Sequence, residues 1–297
     1  MDVWLDRYLA DLERDNASPN TIRNYGTDIG QFLDFCQGRA VTVADELTLD
    51  LVREHMEQLH GLDYVPASIA RRVFELRAFG DFLVRRGAWS RNIFRRIYAP
   101  RVPQRLPRFL TLDEMQRLLD TPDTSTVRGL RDRAIMEVLY GAGVRVSELV
   151  GLDVEDVDLD RAELRVIGKG DKERIVLLGE YAVLAMRAYL AVRQADDGCT
   201  AVFVSRLGSR LSRRSVSTVV RQAGEAAGIA QAVTPHLLRH TFATHMLDGG
   251  AGLRVVQELL GHASVATTQV YANVTQGRVR EVYLSAHPRS DGVTATV

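Results

Sequence analysis

The chain has 297 residues, enough for two modest domains, with 38 basic against 38 acidic side chains and a formal net charge of zero. Its apolar and charged fractions, 46% and 26%, are those of an ordinary globular protein, and no apolar run nears the ~18–20 residues that a bilayer span needs. The charged start MDVWLDRYLADLERD has no signal-peptide pattern, and Cys36 and Cys199 sit in unrelated segments with no metal or redox spacing, so they read as reduced core thiols of a cytoplasmic protein.

Residues 1–99 read as a helical bundle. One helix spans about 2–14. Ser18-Pro19 starts a second, Ser as N-cap and Pro at the first helical position, and Ile22, Tyr25, Ile29, Phe32, Leu33 and Cys36 follow at helical spacing. A third covers about 48–60. Pro66 opens a fourth, with Ile69, Val73, Leu76, Phe79 and Leu83 as its apolar stripe and Gly87 as its stop. Residues 100–110 hold three prolines and three arginines (101, 105, 108), the composition of a stiff, extended basic linker. A second domain runs from 111 to 288, opening on the capping box of Thr111 and Glu114. A helix over about 128–140 is interrupted at Gly141-Ala-Gly143, and another runs from Arg145 to Leu152. Two β-rich runs, Glu163–Ile167 and Arg174–Leu178, flank the hairpin-turn composition of Gly168-Lys-Gly-Asp171. Helices at about 180–194 and 212–227 bracket a short strand at 201–204. Thr234-Pro235 starts a helix that Gly249-Gly250 closes, and helices near 253–260, 264–270 and 276–286 follow. The last residues, 289–297, read as a flexible tail. The predicted fold is mainly α: a helical bundle, then an α+β domain with a small antiparallel sheet.

Zero net charge hides a segregation. Eight arginines fall between Arg85 and Arg108 (85, 86, 91, 95, 96, 101, 105 and 108) and five between Arg206 and Arg221 (206, 210, 213, 214 and 221), with no acid in either stretch. The acids gather elsewhere, as in the run Asp153 to Asp158. Clustered arginine neutralises phosphates and releases counterions whatever the overall sum, so nucleic acid enters as a candidate partner beside plain solvated surfaces.

His236 and Arg239 stand at i, i+3 after Pro235, so imidazole and guanidinium share a helix face. A guanidinium matches two phosphate oxygens and a histidine moves a proton near neutral pH, although such a pair is more often structural. His262 follows a glycine, and Tyr271 lies downstream of it. A phenol, pKa near ~10, becomes a useful nucleophile only where cations stabilise the developing charge; otherwise Tyr271 is a core tyrosine. Arg145 follows the glycine pair, and Lys169 sits at the hairpin tip. His236 and His240 have a metal-capable i, i+4 spacing, but Arg239 between them repels a metal and no HExxH glutamate accompanies them, so no metal is assigned. No Gly-rich phosphate loop for a nucleotide cofactor is present.

The segments GAGVRVSEL, VIGKGDKER, TPHLLRHTFATHML, LLGHASVATTQVYANV and REVYLSAHPR, in this order and at these intervals, resemble the tyrosine recombinases of the phage-integrase type across most of residues 111–288. Within that family the chain is most similar to the Xer branch, and residues 1–99 resemble the family's SAM-like core-binding domain. The resemblance implies a clamp on double-stranded DNA that cuts and rejoins a specific site without metal, ATP or other cofactor. Tyr271 is then the nucleophile that becomes linked to a 3′ phosphate. Arg145 and Arg239 hold the phosphoryl oxygens, His236 is the general base, Lys169 protonates the leaving 5′ oxygen, and His262 hydrogen-bonds the phosphate. It further implies resolution of chromosome dimers at cell division. The partners would be a sister recombinase in a heterotetramer with two of each subunit, and a septal DNA translocase; no membrane is involved. The closing segment at about 276–288 would dock on a neighbouring protomer. A mobile-element integrase of the same chemistry, a type IB topoisomerase and a catalytically silent architectural DNA-binding protein are the rivals. The start of the chain directly at the bundle speaks against the first, and the intact six-residue set speaks against the last.

Overall fold

The computed structural model describes residues 1–43, 46–101, 108–168, 172–261 and 272–290, with backbone alone for 272–276. The chain divides into two compact units, Met1–Leu106 and Pro107–Val297.

In the first unit α1 (Asp2–Arg14), α2 (Pro19–Gln37), α3 (Leu49–Gly61) and α4 (Pro66–Arg85) form the expected bundle, followed by a short 3₁₀ turn at Ile93–Arg96. Local chemistry starts the helices. Ser18 Oγ accepts the Thr21 N–H ahead of Pro19, and Thr48 Oγ1 accepts that of Leu51. Gly87, at φ +73°, lies just past α4 in the left-handed conformation that suits glycine. The core interleaves Tyr8 with Ile29 and Phe32, Phe79 and Phe82, and closes on Phe94 from the 3₁₀ turn. Cys36 is fully buried here, its thiol pushed up to about 11 by burial against the pull of Arg39. Cys199, expected as a core thiol, is only half-buried in a turn of the second unit.

The second unit is built around α6 (Val127–Gly141), whose residues Ala134 to Tyr140 are buried on every side. α5 (Leu112–Leu119) precedes it with the expected capping box between Thr111 and Glu114. Then come α7 (Val146–Gly151), a 3₁₀ turn and three antiparallel strands in the order β1 (Val157–Asp158), β2 (Glu163–Ile167) and β3 (Glu173–Leu177). Leu164 pairs Val176, and both point into the core. α8 (Glu180–Leu190), α9 (Arg213–Ala226), α10 (Pro235–Asp248), α11 (Leu253–Leu259) and α12 (Ala272–Ala286) complete the unit. Among the described residues no helix is long and apolar enough to cross a membrane.

Several expectations need correction. The run 201–204 is no strand: its ends form single bridges, Ala201 to Asp153 and Val204 to Arg210, and its apolar residues are core in an irregular segment. β1 was not anticipated, because two residues carry no period. α8 stops at Leu190, and α12 begins at Ala272 rather than near 276. The helix expected at 264–270 lies outside the described residues. Leu110, read as linker, is fully buried and donates its N–H to Thr241 Oγ1 at 3.0 Å. Arg289 and Ser290, read as tail, are buried too: Arg289 reaches Glu137 at 2.7 Å and lies over the Tyr181 ring. In this single chain the closing segment packs on its own domain, where Tyr283 is buried and donates to Gly141 O at 2.8 Å, which leaves the expected docking on a neighbouring protomer untouched.

Candidate active site

Two glycine-dependent corners, at Gly143 and at Gly261, bring the expected arginines together. Gly143 turns the chain from α6 into α7 at φ +58°, and a Cβ there would run into the Phe242 ring, so only glycine fits. Arg145 follows as the N-cap of α7. On α10, Thr234 Oγ1 caps the helix by accepting the Leu237 N–H, and Arg239 comes one turn later. Its Nη1 donates to Gly143 O and its Nη2 to Leu260 O, both at 2.6 Å. Arg239 is thereby pinned between the first corner and the segment that leads to His262.

The two guanidiniums converge on an acid. Glu148, on α7 and 4% exposed, accepts Arg145 Nη1 at 2.8 Å through Oε1 and the Arg145 backbone N–H at 2.7 Å through Oε2. Arg239 Nη1 stands 4.0 Å from Oε2. A third guanidinium completes the cluster: Arg174 of β3 donates Nη1 to Oε1 at 2.7 Å and Nη2 to Oε2 at 3.0 Å. Burial alone would raise the Glu148 carboxyl, but the hydrogen bonds from Arg174 and Arg145 and the Arg174 charge hold it below its ordinary value. Arg239 is lowered as well, pushed down to about 10 by burial first and then by the like charge of Arg145, yet it stays a cation at neutral pH. The result is a preorganised cationic site of the kind that stabilises charge developing on phosphoryl oxygens.

Of the six residues singled out, Arg145 and Arg239 meet here. His236 is exposed in the first turn of α10, three residues before Arg239. Lys169, His262 and Tyr271 lie outside the described residues. Their chain neighbours do not: Gly168 abuts both Arg174 and Glu148, and Gly261 abuts Arg174. Glu148 and Arg174 went unread in the sequence. The signal for Glu148 was its place three residues after Arg145. The signal for Arg174 was its phase on β3, two residues from the buried Val176 and so on the same face. His245, further along α10, has its Nδ1 2.8 Å from the buried Tyr140 hydroxyl.

The arginine clusters are partly neutralised. Arg86 pairs with Asp11, Arg95 with Asp81, Arg210 with Asp153 and Arg221 with Glu225. Arg91, Arg96, Arg206, Arg213 and Arg214 are exposed without an ion pair among the described residues. A groove of about 780 Å³ beside the start of α9 is lined by Arg128, Arg131, Ser205, Arg206, Ser212 and Arg214, and by none of the Glu148 cluster.

Comparison with known proteins gives the family and the fold. The phage integrase family matches residues 108–278, and the phage integrase N-terminal SAM-like domain matches residues 5–87. A tyrosine recombinase XerC of Pelobacter propionicus is 44% identical over 93% of this chain and 91% of its own. The XerC of Myxococcus xanthus is 40% identical over 96% and 98%. Among solved structures, XerH site-specific recombinase bound to a palindromic difH substrate superposes with a TM-score of 0.70 at 21% identity, covering 93% of this chain and 84% of that one. A lambda integrase dimer bound to a COC′ core site gives 0.69 at 20%, covering 92% and 99%. At these identities the two structures speak for the fold.

Proposed function

The chain belongs to the phage integrase family of tyrosine recombinases, enzymes that cleave and rejoin DNA at specific sites, and from that premise we propose that Tyr271 is its nucleophile. The phenol oxygen attacks the scissile phosphorus, and the bond to the 5′ oxygen breaks, leaving a 3′-phosphotyrosine. His236 accepts the phenol proton, and Lys169 supplies one to the departing 5′ oxygen. Arg145 and Arg239 bind the non-bridging oxygens as charge builds on them, and His262 adds a hydrogen bond. The reverse reaction, with a new 5′ hydroxyl, rejoins the strand. The phosphotyrosine keeps the energy of the broken bond, so the cycle draws on no ATP.

The observation that carries this reading is the convergence of Arg145 and Arg239 on one buried carboxylate, with the chain neighbours of Lys169 and His262 packed beside the same cluster. The free arginines and the basic groove at α9 supply phosphate contacts that position the duplex, while base contacts set the site. The likeness to XerC proteins points to resolution of chromosome dimers at cell division in the cytoplasm. The chain then works in a tetramer with two copies of a sister recombinase, under a septal DNA translocase.

Covalent trapping tests the nucleophile. On a nicked suicide duplex carrying a Xer-type site, the wild-type chain is expected to leave a denaturant-resistant protein–DNA adduct, with the sister recombinase added where it is needed. Tyr271→Phe is expected to bind the same duplex and leave none. An adduct that persists in Tyr271→Phe assigns the bond to another residue.

A further inference from the structure

A carboxylate as buried as Glu148 needs full ionic compensation, and one left unpaired takes whatever cation is within reach. Among the described residues three guanidiniums reach it, but they are not equivalent. Arg174 spends both terminal nitrogens on it, in the two-pronged geometry that makes an arginine–carboxylate pair strongest. Arg145 spends one side-chain N–H and is 38% exposed, so the rest of its fork faces outward. Arg239 stands 4.0 Å off, held by two carbonyl oxygens instead.

The surroundings of Arg174 are shaped for this role. Its side chain is 17% exposed and runs past Gly261, which has φ +65° and where a Cβ would lie 2.8 Å from Nε. That Nε is buried and makes no hydrogen bond. With both terminal nitrogens committed, Arg174 has little left to offer a ligand, so it acts through Glu148.

We propose that Arg174 is a positioning residue for strand cleavage: it neutralises Glu148 and so leaves the charges of Arg145 and Arg239 available to the scissile phosphate. This rests on the reading that those two arginines bind the phosphate. Among the described residues, three guanidiniums and one carboxylate leave two positive charges facing the substrate. Without Arg174 the carboxylate draws Arg145 and Arg239 onto itself, and the phosphate meets one net charge in a displaced arrangement.

The test is a charge-balance cycle. Strand cleavage is timed on two nicked duplexes, one with the ordinary phosphate and one with a methylphosphonate, in which a methyl group replaces a charged non-bridging oxygen. Arg174→Met is expected to slow cleavage of the ordinary duplex on the order of 10²-fold. Adding Glu148→Gln to that variant, which removes the unpaired charge and keeps an acceptor for Arg145, is expected to restore at least about tenfold of the loss. The defect of Arg174→Met should also shrink on the methylphosphonate, whose transition state gathers less charge. Arg174→Lys, which keeps the charge and loses the fork, should fall between wild type and Met, and it carries the comparison between the two duplexes should the Met variant not fold. A double variant no faster than Arg174→Met, or an equal defect on both duplexes in a chain that keeps its unfolding temperature, overturns the proposal. A wild-type chain that cleaves neither duplex with the sister recombinase present overturns the parent reading, and this one with it.

Discussion

Glu75 on α4 lies buried against Asp28 on α2. Arg71 reaches their carboxylates at 2.9 and 2.5 Å, and Arg72 meets Asp28 from the other side at 3.2 Å. Tyr8 and Tyr25 face the same group. Burial first, then the hydrogen bond and charge of Asp28, raise the Glu75 carboxyl from 4.5 to about 7 against the pull of Arg71. The folded chain therefore holds this proton more tightly than the unfolded chain does. Its contribution to stability is complete below about 4.5 and is lost as pH rises toward 7, where it levels off. Three His residues oppose this: burial lowers His245, and lowers His55 to about 4 and His287 to about 3, so their contributions fade as pH drops. Comparing wild type with Glu75→Gln cancels those. The wild type is expected to lose stability relative to Glu75→Gln on the order of 2 kcal/mol between pH 5 and 7.5, read by denaturant unfolding of the full chain. Parallel pH profiles would place the titration elsewhere.

At the scale of elements, the corner between α6 and α7 ties folding to the site. Gly143 needs its positive φ and its missing Cβ, and its carbonyl accepts Arg239. Gly143→Ala is expected to cost about 1–3 kcal/mol and to slow strand cleavage at least about tenfold through a displaced Arg239. Gly141→Ala is the control. It sits in the last turn of α6, where a Cβ would meet only Ala182 at an ordinary 3.5 Å. If thermal unfolding and cleavage rates do not separate the two variants, the corner is not steric. The helix starts were legible in the sequence because their signals are local: Ser18 before Pro19, Thr111 with Glu114, Thr234 before Pro235. The run 201–204 was misread because a short apolar segment has the same composition whether it pairs as a strand or simply fills a core, as Val202 and Phe203 do. Arg145 and Arg239, which the fold brings to Glu148, were singled out through the order of their motifs, not through any one spacing. Glu148 and Arg174 were not: a charged residue in VSEL or KGDKER looks solvated until the fold turns both inward onto the same cluster.

For the whole molecule, the closing segment decides whether the catalytic unit stands alone. Sequence resemblance assigns it to a neighbouring protomer, yet in the single chain it is part of the core. Tyr283 is fully buried and stacks on the His287 ring at 5.3 Å, and His287 also packs against Tyr140 and Phe242. Arg289 binds Glu137 and Gln116, and Arg280 reaches Glu163 on β2. Glycine makes room for the segment: Cβ atoms at Gly249 and Gly179 would run into the backbone of Ala286 and Arg289. A segment bound this way moves to a second copy only by remaking equivalent contacts there, as in a domain swap. Removing it has no such compensation. Loss of a buried aromatic side chain alone costs about 3–5 kcal/mol, a large part of an ordinary domain's stability, and Tyr140 and Phe242 would be uncovered as well. A chain ending at Gly277 is therefore expected to lose the cooperative unfolding transition of its second unit, and DNA binding with it, rather than to remain a binding-competent monomer that fails only to assemble. Arg289→Met is the milder probe: Glu137 keeps its contact with Arg133, so the loss should be about 1–3 kcal/mol, seen as a lower unfolding temperature with DNA binding retained. A truncated chain with wild-type unfolding and wild-type DNA binding would make the segment a detachable arm, and its contacts with α6 incidental.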